Sequence, residues 1–255
     1  MADPGKSSSR QAALEEVLAQ RRAAERRRAI LIVGVCVLVA LVIVAVAVSL
    51  TMRESKEKER VQEISEQPLG SIGAAASACD AITTMQTDGN DGHLQIGTQV
   101  VYPTAPPAFG NHWSEPGVAP APFNRKFYTE QDRPELEALV HNLEHGYTIL
   151  WYDDTIAGDS DAADIVEAIA ERFRGEDDLR KKFIAAPWTA DDVEESGAFP
   201  DGQHVAISHW SVGSDPDDPA QRLGAFQYCS EPSGAALEQF MLAHPYSDSP
   251  EPNAG

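Results

Sequence analysis

The sequence predicts an α+β fold: one N-terminal transmembrane helix followed by a small mixed α/β extracytoplasmic domain. Three observations carry this. A single long apolar run, Ala29 to Leu50, stands near the N-terminus. Beyond residue 79, helix-like and strand-like apolar patterns follow one another in mixed order. Outside the apolar run the chain keeps one pair of cysteines, Cys79 and Cys229.

The apolar run comes first. As a helix it extends about 33 Å, enough for a hydrocarbon core of about 30 Å. A cleaved signal peptide would carry a shorter apolar region and a small-residue cleavage site, whereas TMRESKEKER follows here. Seven basic residues (Lys6, Arg10, Arg21, Arg22, Arg26, Arg27, Arg28) precede the span, against four just after it that are interleaved with glutamates. Because cytoplasmic flanks collect Lys and Arg, the N-terminus is expected inside and the rest of the chain outside, in a single-pass protein of the cell membrane. Residues 1–28 read as a cytoplasmic stem of helix formers and 29–50 as the transmembrane helix. Residues 51–78, charged and then Gly-, Ala- and Ser-rich (LGSIGAAASA), read as a tether. Residues 79–245 form one domain by size, and 246–255 a tail. The span has no Asp, Glu, Lys or Arg, so it conducts neither protons nor ions by itself and is expected to anchor or to pack against another membrane protein.

Within the domain, LQIGTQVVY (94–102) reads as a strand with a glycine interruption. PTAPPAFGNHWSEPGVAPAP (103–122) has too many prolines for a helix or an inner strand, so it is expected as an ordered or semi-ordered loop. RPELEALVHNLEHG has Pro134 in a permitted first-turn position, an apolar stripe of Leu136, Leu139, Val140 and Leu143, and Gly146 as a C-terminal cap, and so reads as a helix. YTILWYDD (147–154) is a strand and DAADIVEAIAERFR (161–174) a second amphipathic helix. KFIAAP, HVAISHW and LGAFQYC are short strands, and GAALEQFMLAH (234–244) is a closing helix.

Charge narrows the possible partners. Residues 1 to 60 carry 11 basic and 7 acidic side chains, leaving 9 basic against 33 acidic for residues 61 to 255, a formal charge of −24. Such a field repels nucleic acid and anionic headgroups and attracts cations and basic proteins; solubility alone accounts for it equally well. Cys36 lies in the membrane span, so Cys79 and Cys229 are the pair that faces an oxidising compartment and is expected to form a disulfide. Two buried free thiols are the alternative.

The stretch HNLEHG (141–146) carries the chemistry. At about 100° per helical residue, His141 and His145 fall roughly opposite the apolar stripe, on a face either solvated or covered by another segment. The proline-rich loop is the nearest cover in sequence; it carries His112, and His93 stands just before it. Neutral imidazole is the commonest metal ligand, and an i, i+4 pair aims two rings at one point. His93, His112, His141 and His145 are therefore the candidate ligands for one copper or zinc ion. A cluster of rings hydrogen-bonded to loop carbonyls explains the same pattern. HNLEH also fits the H-x-x-E-H order of inverted zinc peptidases, with Glu144 as general base, but it lies at the end of its helix and no third ligand in a matching context follows. Glu144 is otherwise expected as a solvated charge or as the partner that orients an imidazole. His204, His209 and His244 have no paired spacing and are expected to be structural. The chain lacks a G-x-S-x-G elbow, a glycine-rich phosphate loop and a C-x-x-C pair, so acyl-transfer, nucleotide and thioredoxin-type chemistries lack their residues.

Taken in order, GH (92–93), YPTAPPAFGNHW (102–113), HNLEHGYTILWYD (141–153), Cys229 and PEP (250–252) resemble domain-of-unknown-function family three-one-zero-five, over about residues 79–252. The sequence departs from that pattern at Ala108-Phe109 and at ISHW (207–210). The resemblance implies a membrane-anchored extracytoplasmic protein of actinobacterial type, with His93, His112, His141 and His145 at the family's histidine positions and Cys79 and Cys229 at its cysteine pair. It implies no assigned activity. It also implies a setting, as a non-catalytic, single-span accessory subunit of the respiratory cytochrome bcc–aa3 supercomplex, whose oxidase would be the membrane partner. An envelope protein that binds or delivers copper or zinc is the alternative, and a zinc-dependent hydrolase a third.

Overall fold

The computed structural model describes residues 4–89, 91–113, 121–175, 178–215 and 218–253, in two compact units, 1–57 and 58–255. Helix α1 (Pro4–Ser65) runs well past both ends of the expected span, because no Gly or Pro interrupts the chain between Gly34 and Pro68 and the flanks are rich in helix formers. Its apolar stretch from Leu31 to Leu50 is exposed throughout, and the helix is long and apolar enough to cross a membrane.

The second unit begins at Lys58, earlier than the expected domain start at Cys79. Val61 is buried, and Arg60 reaches Asp161 at 2.5 Å and Asp164 at 2.9 Å. The segment expected as a tether is packed as well. Two 3-10 turns, Leu69–Ser71 and Ala76–Ala78, flank Ile72, which is fully buried, and Gly73 bridges to Ser233. The small residues that suggested a flexible linker are what lets the chain run against the domain: a Cβ at Gly73 would meet the Pro232 carbonyl oxygen at 2.2 Å.

A five-stranded sheet organises the domain. Its strands are β1 (Thr83–Gln86), β4 (Thr148–Tyr152), β5 (Phe183–Pro187), β6 (Val205–Ser211) and β7 (Leu223–Cys229), in spatial order β1-β7-β6-β4-β5. Within this sheet only β4 and β5 pair in parallel; the crossover between them carries α3 (Asp154–Gly158) and α4 (Ser160–Glu171), as a parallel pair requires. Strands β4, β5 and β6 are buried at every position, which explains why they read as continuous apolar runs instead of alternating ones. The alternation is between two cores. Leu150, Tyr152, Phe183, Ala185, Val205 and Ile207 face α4 and α6 (Gly234–Ala243), with Ile169, Leu237 and Phe240. Ile149, Trp151, Ile184, Ala186 and Ala206 face the opposite side, where α2 (Leu136–Glu144) and the loop at 102–113 lie over the sheet. Each large apolar side chain so buried contributes about 1.5–3 kcal/mol.

Two further expectations change. LQIGTQVVY is not a strand beyond its first residue; only β2 (His93–Leu94) forms, pairing in parallel with β3 (His112–Trp113). Gly97 turns the chain at φ 88°, and the Val100 N–H donates to the Glu137 carboxylate instead of to a ladder. Strand β1 and helix α5 (Ala190–Ser196) add to the expected elements: β1 is exposed at all four positions and so leaves no apolar pattern, and α5 is marked in the sequence only by its Thr189–Asp192 capping box. Of the proline-rich loop, 103–113 and 121–122 are ordered against the sheet, while 114–120 lies outside the described residues. The expected disulfide is present: Cys79 and Cys229 are bonded across 150 residues, and Cys36 is free and exposed on α1.

Candidate metal centre

Helix α2 supplies the floor of the site. Its stripe of Leu136, Leu139, Val140 and Leu143 packs on the sheet, which turns His141 and Glu144 toward the covering loop, one turn apart on the same face. His145 caps the helix, and Gly146 follows at φ 88°. A side chain there would be strained, and its Cβ would lie 2.5 Å from the Tyr246 carbonyl oxygen. Every residue of α2 is buried, so the histidine face is a covered face.

The cover is tied down by hydrogen bonds. The Asn142 side chain accepts from the Ala121 N–H at 3.1 Å and donates to the Ala121 carbonyl at 3.2 Å. The Tyr102 hydroxyl donates to the Asn111 carbonyl, and that of Tyr228 to the Ala105 carbonyl. Ala108 and Phe109 rest on Gly224 of β7, where a Cβ would sit 2.8 and 2.7 Å from them. So held, β2 and β3 place His93 and His112 directly opposite each other in register, and their side chains leave on one face.

The three rings converge. Their centres stand 4.5 Å apart for His93 and His112, 5.0 Å for His112 and His141, and 5.4 Å for His93 and His141. Imidazoles bound to one ion at about 2.0–2.1 Å and at tetrahedral angles would have centres about 5 Å apart. Glu144 completes the group: its Oε2 lies 3.0 Å from His112 Nε2 and 3.4 Å from His93 Nε2. The 3.0 Å approach falls outside hydrogen-bond geometry, and His112 Nε2, Glu144 Oε2 and His141 Nδ1 are buried without a hydrogen-bond partner. Buried polar atoms rarely stay unpaired. Donor atoms that crowd together without bonding one another are what a shared cation would satisfy. His93, His112, His141 and Glu144 could hold a metal ion, each offering one donor atom within 4.8 Å of the others.

Charge states agree with that chemistry. Burial, with smaller contributions from the neighbouring imidazoles, brings His141 down to about 4, so at pH 7 it is neutral and one of its two ring nitrogens has a free lone pair. Burial also lowers His145. For Glu144, burial pushes the carboxyl up, but the His112 imidazole and its neighbours outweigh it and hold it below its ordinary value, ionised. His112 is pulled down by burial and raised, on balance, by the Glu144 carboxylate. Its Nδ1 lies 2.9 Å from the Gly110 carbonyl, which can only accept, so Nδ1 carries a proton; the raised value favours a second proton on Nε2, facing Glu144, which a metal would displace on binding there. A carboxylate buried at a helix C-terminus is opposed by the helix dipole; cationic company at this point offsets that.

The four histidines expected as one set are therefore divided. Three share a point with Glu144. His145, whose ring is 4.5 Å from that of His141, instead groups with Glu144 and Glu251, with its Nε2 3.4 Å from Glu251 Oε2. Glu144, expected as a solvated charge, an orienting partner or a base, is a buried member of both groups. Glu251 went unnoticed, although the PEP at 250–252 that carries it is one of the motifs of the resemblance. The remaining histidines, expected to be structural, lie apart from the cluster: His209 Nδ1 faces the Tyr147 carbonyl, His204 pairs with Asp153 at 2.8 Å, and the His244 ring lies tilted 5.4 Å from that of Phe240.

Fold and site together define a class: an α+β domain behind a long apolar helix, with histidines and a carboxylate gathered under a strapped loop. The chain belongs to the family described as Protein of unknown function (DUF3105), whose model matches residues 93–254. The match takes in all the residues of the cluster. No curated protein and no solved structure matches the chain.

Proposed function

We propose that this is a membrane-anchored, extracytoplasmic metal-binding domain that holds a transition-metal ion, copper or zinc, on His93, His112, His141 and Glu144. The observation that carries the reading is the convergence of three imidazoles and one carboxylate, among which His112 Nε2, His141 Nδ1 and Glu144 Oε2 are buried without a hydrogen-bond partner. Three nitrogens and one oxygen suit tetrahedral Zn²⁺, and raw affinity in a nitrogen-rich site favours Cu²⁺. Four protein ligands under a closed loop fit retention of an ion better than turnover at an open coordination position. His93, whose side chain is 42% exposed while that of His112 is fully buried, is the entry point. Glu144 at ligand distance from two imidazoles favours a ligand over a general base, so we take the protein as non-catalytic. The basic residues that precede the span and the disulfide of the domain support an outside location of the domain.

The test is elemental analysis of the purified full chain, loaded with Zn²⁺ or Cu²⁺ at neutral pH and desalted. At least one equivalent should remain, and His141→Ala or His112→Ala should lose it. Less than a tenth of an equivalent on the unmodified protein would leave only a hydrogen-bonded cluster.

A second reading concerns the partner. We propose that α1 packs against a larger membrane assembly, as an accessory subunit of a respiratory cytochrome bcc–aa3 supercomplex. Its support is the family resemblance together with an apolar stretch that is exposed along its whole length. An acid-lined cleft bordered by Glu130, Glu135, Glu137, Asp191 and Glu195 favours a basic partner surface outside the membrane. Affinity purification after gentle detergent extraction should recover oxidase subunits; recovery of the protein alone would rule this setting out.

A further inference from the structure

We propose that Glu144 bridges two metal ions, one on His93, His112 and His141 and a second on His145 and Glu251. This rests on the single-ion reading above and adds a second ion to it.

Glu144, His145 and Glu251 each offer one donor atom, and these lie within 4.8 Å of one another; Glu144 belongs to this group and to the first. A carboxylate has two oxygens and about four lone-pair sites, so one Glu144 can serve both ions. His145 points to a ligand independently of the two acids. It is 96% buried, its Nε2 faces Glu251, and its Nδ1 is buried with no hydrogen-bond partner. Because His141 and His145 lie on successive turns with ring centres 4.5 Å apart, ions on the two would be close neighbours. Carboxylate-bridged pairs stand about 3.5–4 Å apart.

The segment that brings Glu251 is built into place. Its N–H donates to the Glu144 carbonyl at 2.9 Å. Lys182 Nζ donates to the carbonyls of His145 at 2.7 Å and Pro252 at 3.0 Å, tying the same segment to the end of α2. Gly146 lets the Tyr246 carbonyl approach at a distance no side chain would allow. Together these bonds keep a half-exposed glutamate beside a buried histidine. Two carboxylates supply the negative charge that a second cation needs beside the first. The Lys182 ammonium opposes it, so the second ion binds more weakly. One imidazole and two carboxylates make the second site richer in oxygen than the first, and hence the better of the two for harder divalent ions.

Copper separates the outcomes, because each Cu²⁺ carries one unpaired electron. The full chain in detergent is titrated with Cu²⁺ and followed by bound-copper analysis and electron paramagnetic resonance. Two equivalents should bind; the isolated Cu²⁺ signal should rise through the first and then broaden and fall by at least half as the second couples to it. Glu251→Gln and His145→Ala should each hold one equivalent, with an isolated signal. A wild type that stops at one equivalent, variants that still hold two, or two equivalents with undiminished isolated signals would overturn the bridge while the single-ion site stands. A wild type that binds no copper would overturn both.

Discussion

At the level of single residues, the site and the core treat imidazole in opposite ways. His141 gathers other donors, whereas His209 is fully buried on β6, with Nδ1 3.1 Å from the Tyr147 carbonyl and the His244 ring 6.2 Å away. Burial, aided by His244, pulls His209 down to about 4 from an ordinary value of 6.5, against the opposing pull of Asp248. The unfolded chain therefore takes up a proton below pH 6.5 that the folded chain refuses. This group's contribution to stability is intact above pH 6.5 and is lost as pH falls toward 4, a loss of about 3 kcal/mol. Urea unfolding at pH 7 and pH 4.5 should show that acid loss reduced in His209→Gln; an equal loss in both proteins would show that other groups cause it. His209 and His141 differ in the sequence only by context. The helical pairing of His141 with His145 and the HNLEH pattern singled out the cluster, and unpaired spacing singled out His209 as structural. What residue-level reading missed was carboxylate as ligand: Glu144 reads from its polar helix face as a solvated charge, an orienting partner or a base, and Glu251 lies more than a hundred residues from the histidines that it joins.

Among the elements, α2 and the proline-rich loop act as one device. The stripe of α2 and its glycine cap were legible because they obey helical periodicity and cap chemistry, as was the loop, because its prolines exclude other structures. Strand β1 and the short pairing of β2 with β3 were not legible: β1 has no buried face, and two-residue strands leave no period to read. The packed course of residues 66–78 was also hidden, since Gly and Ala permit close approach to a domain as readily as they permit flexibility. The clasp that joins loop to helix is Asn142, fully buried on α2. Asn142→Ala removes both of its bonds to Ala121 and leaves a buried N–H and a buried carbonyl unpaired, at about 1–3 kcal/mol each. Denaturant unfolding should show a loss of about 3 kcal/mol. An unchanged midpoint would mean that the loop is held without the clasp.

For the molecule as a whole, charge and covalent linkage set the conditions in which the site works. Residues 61–255, of formal charge −24, draw cations toward a cluster that opens at His93. The Cys79–Cys229 bond joins the start of the sheet region to the end of β7, and it stabilises the fold by at most about 4–5 kcal/mol on a loop-closure argument. The mixed architecture and the long apolar helix were readable from composition and order alone; the sheet's strand order was not, because pairing between distant strands leaves no local pattern. The central claim is that three imidazoles and a carboxylate bind the ion, and X-ray absorption at the metal edge of zinc-loaded full chain reads this directly. The account predicts nitrogen and oxygen neighbours at about 2.0–2.2 Å, with the outer-ring scattering of about three imidazoles per zinc at one equivalent. Zinc surrounded by water oxygens without imidazole scattering, or bound through sulfur, would contradict it.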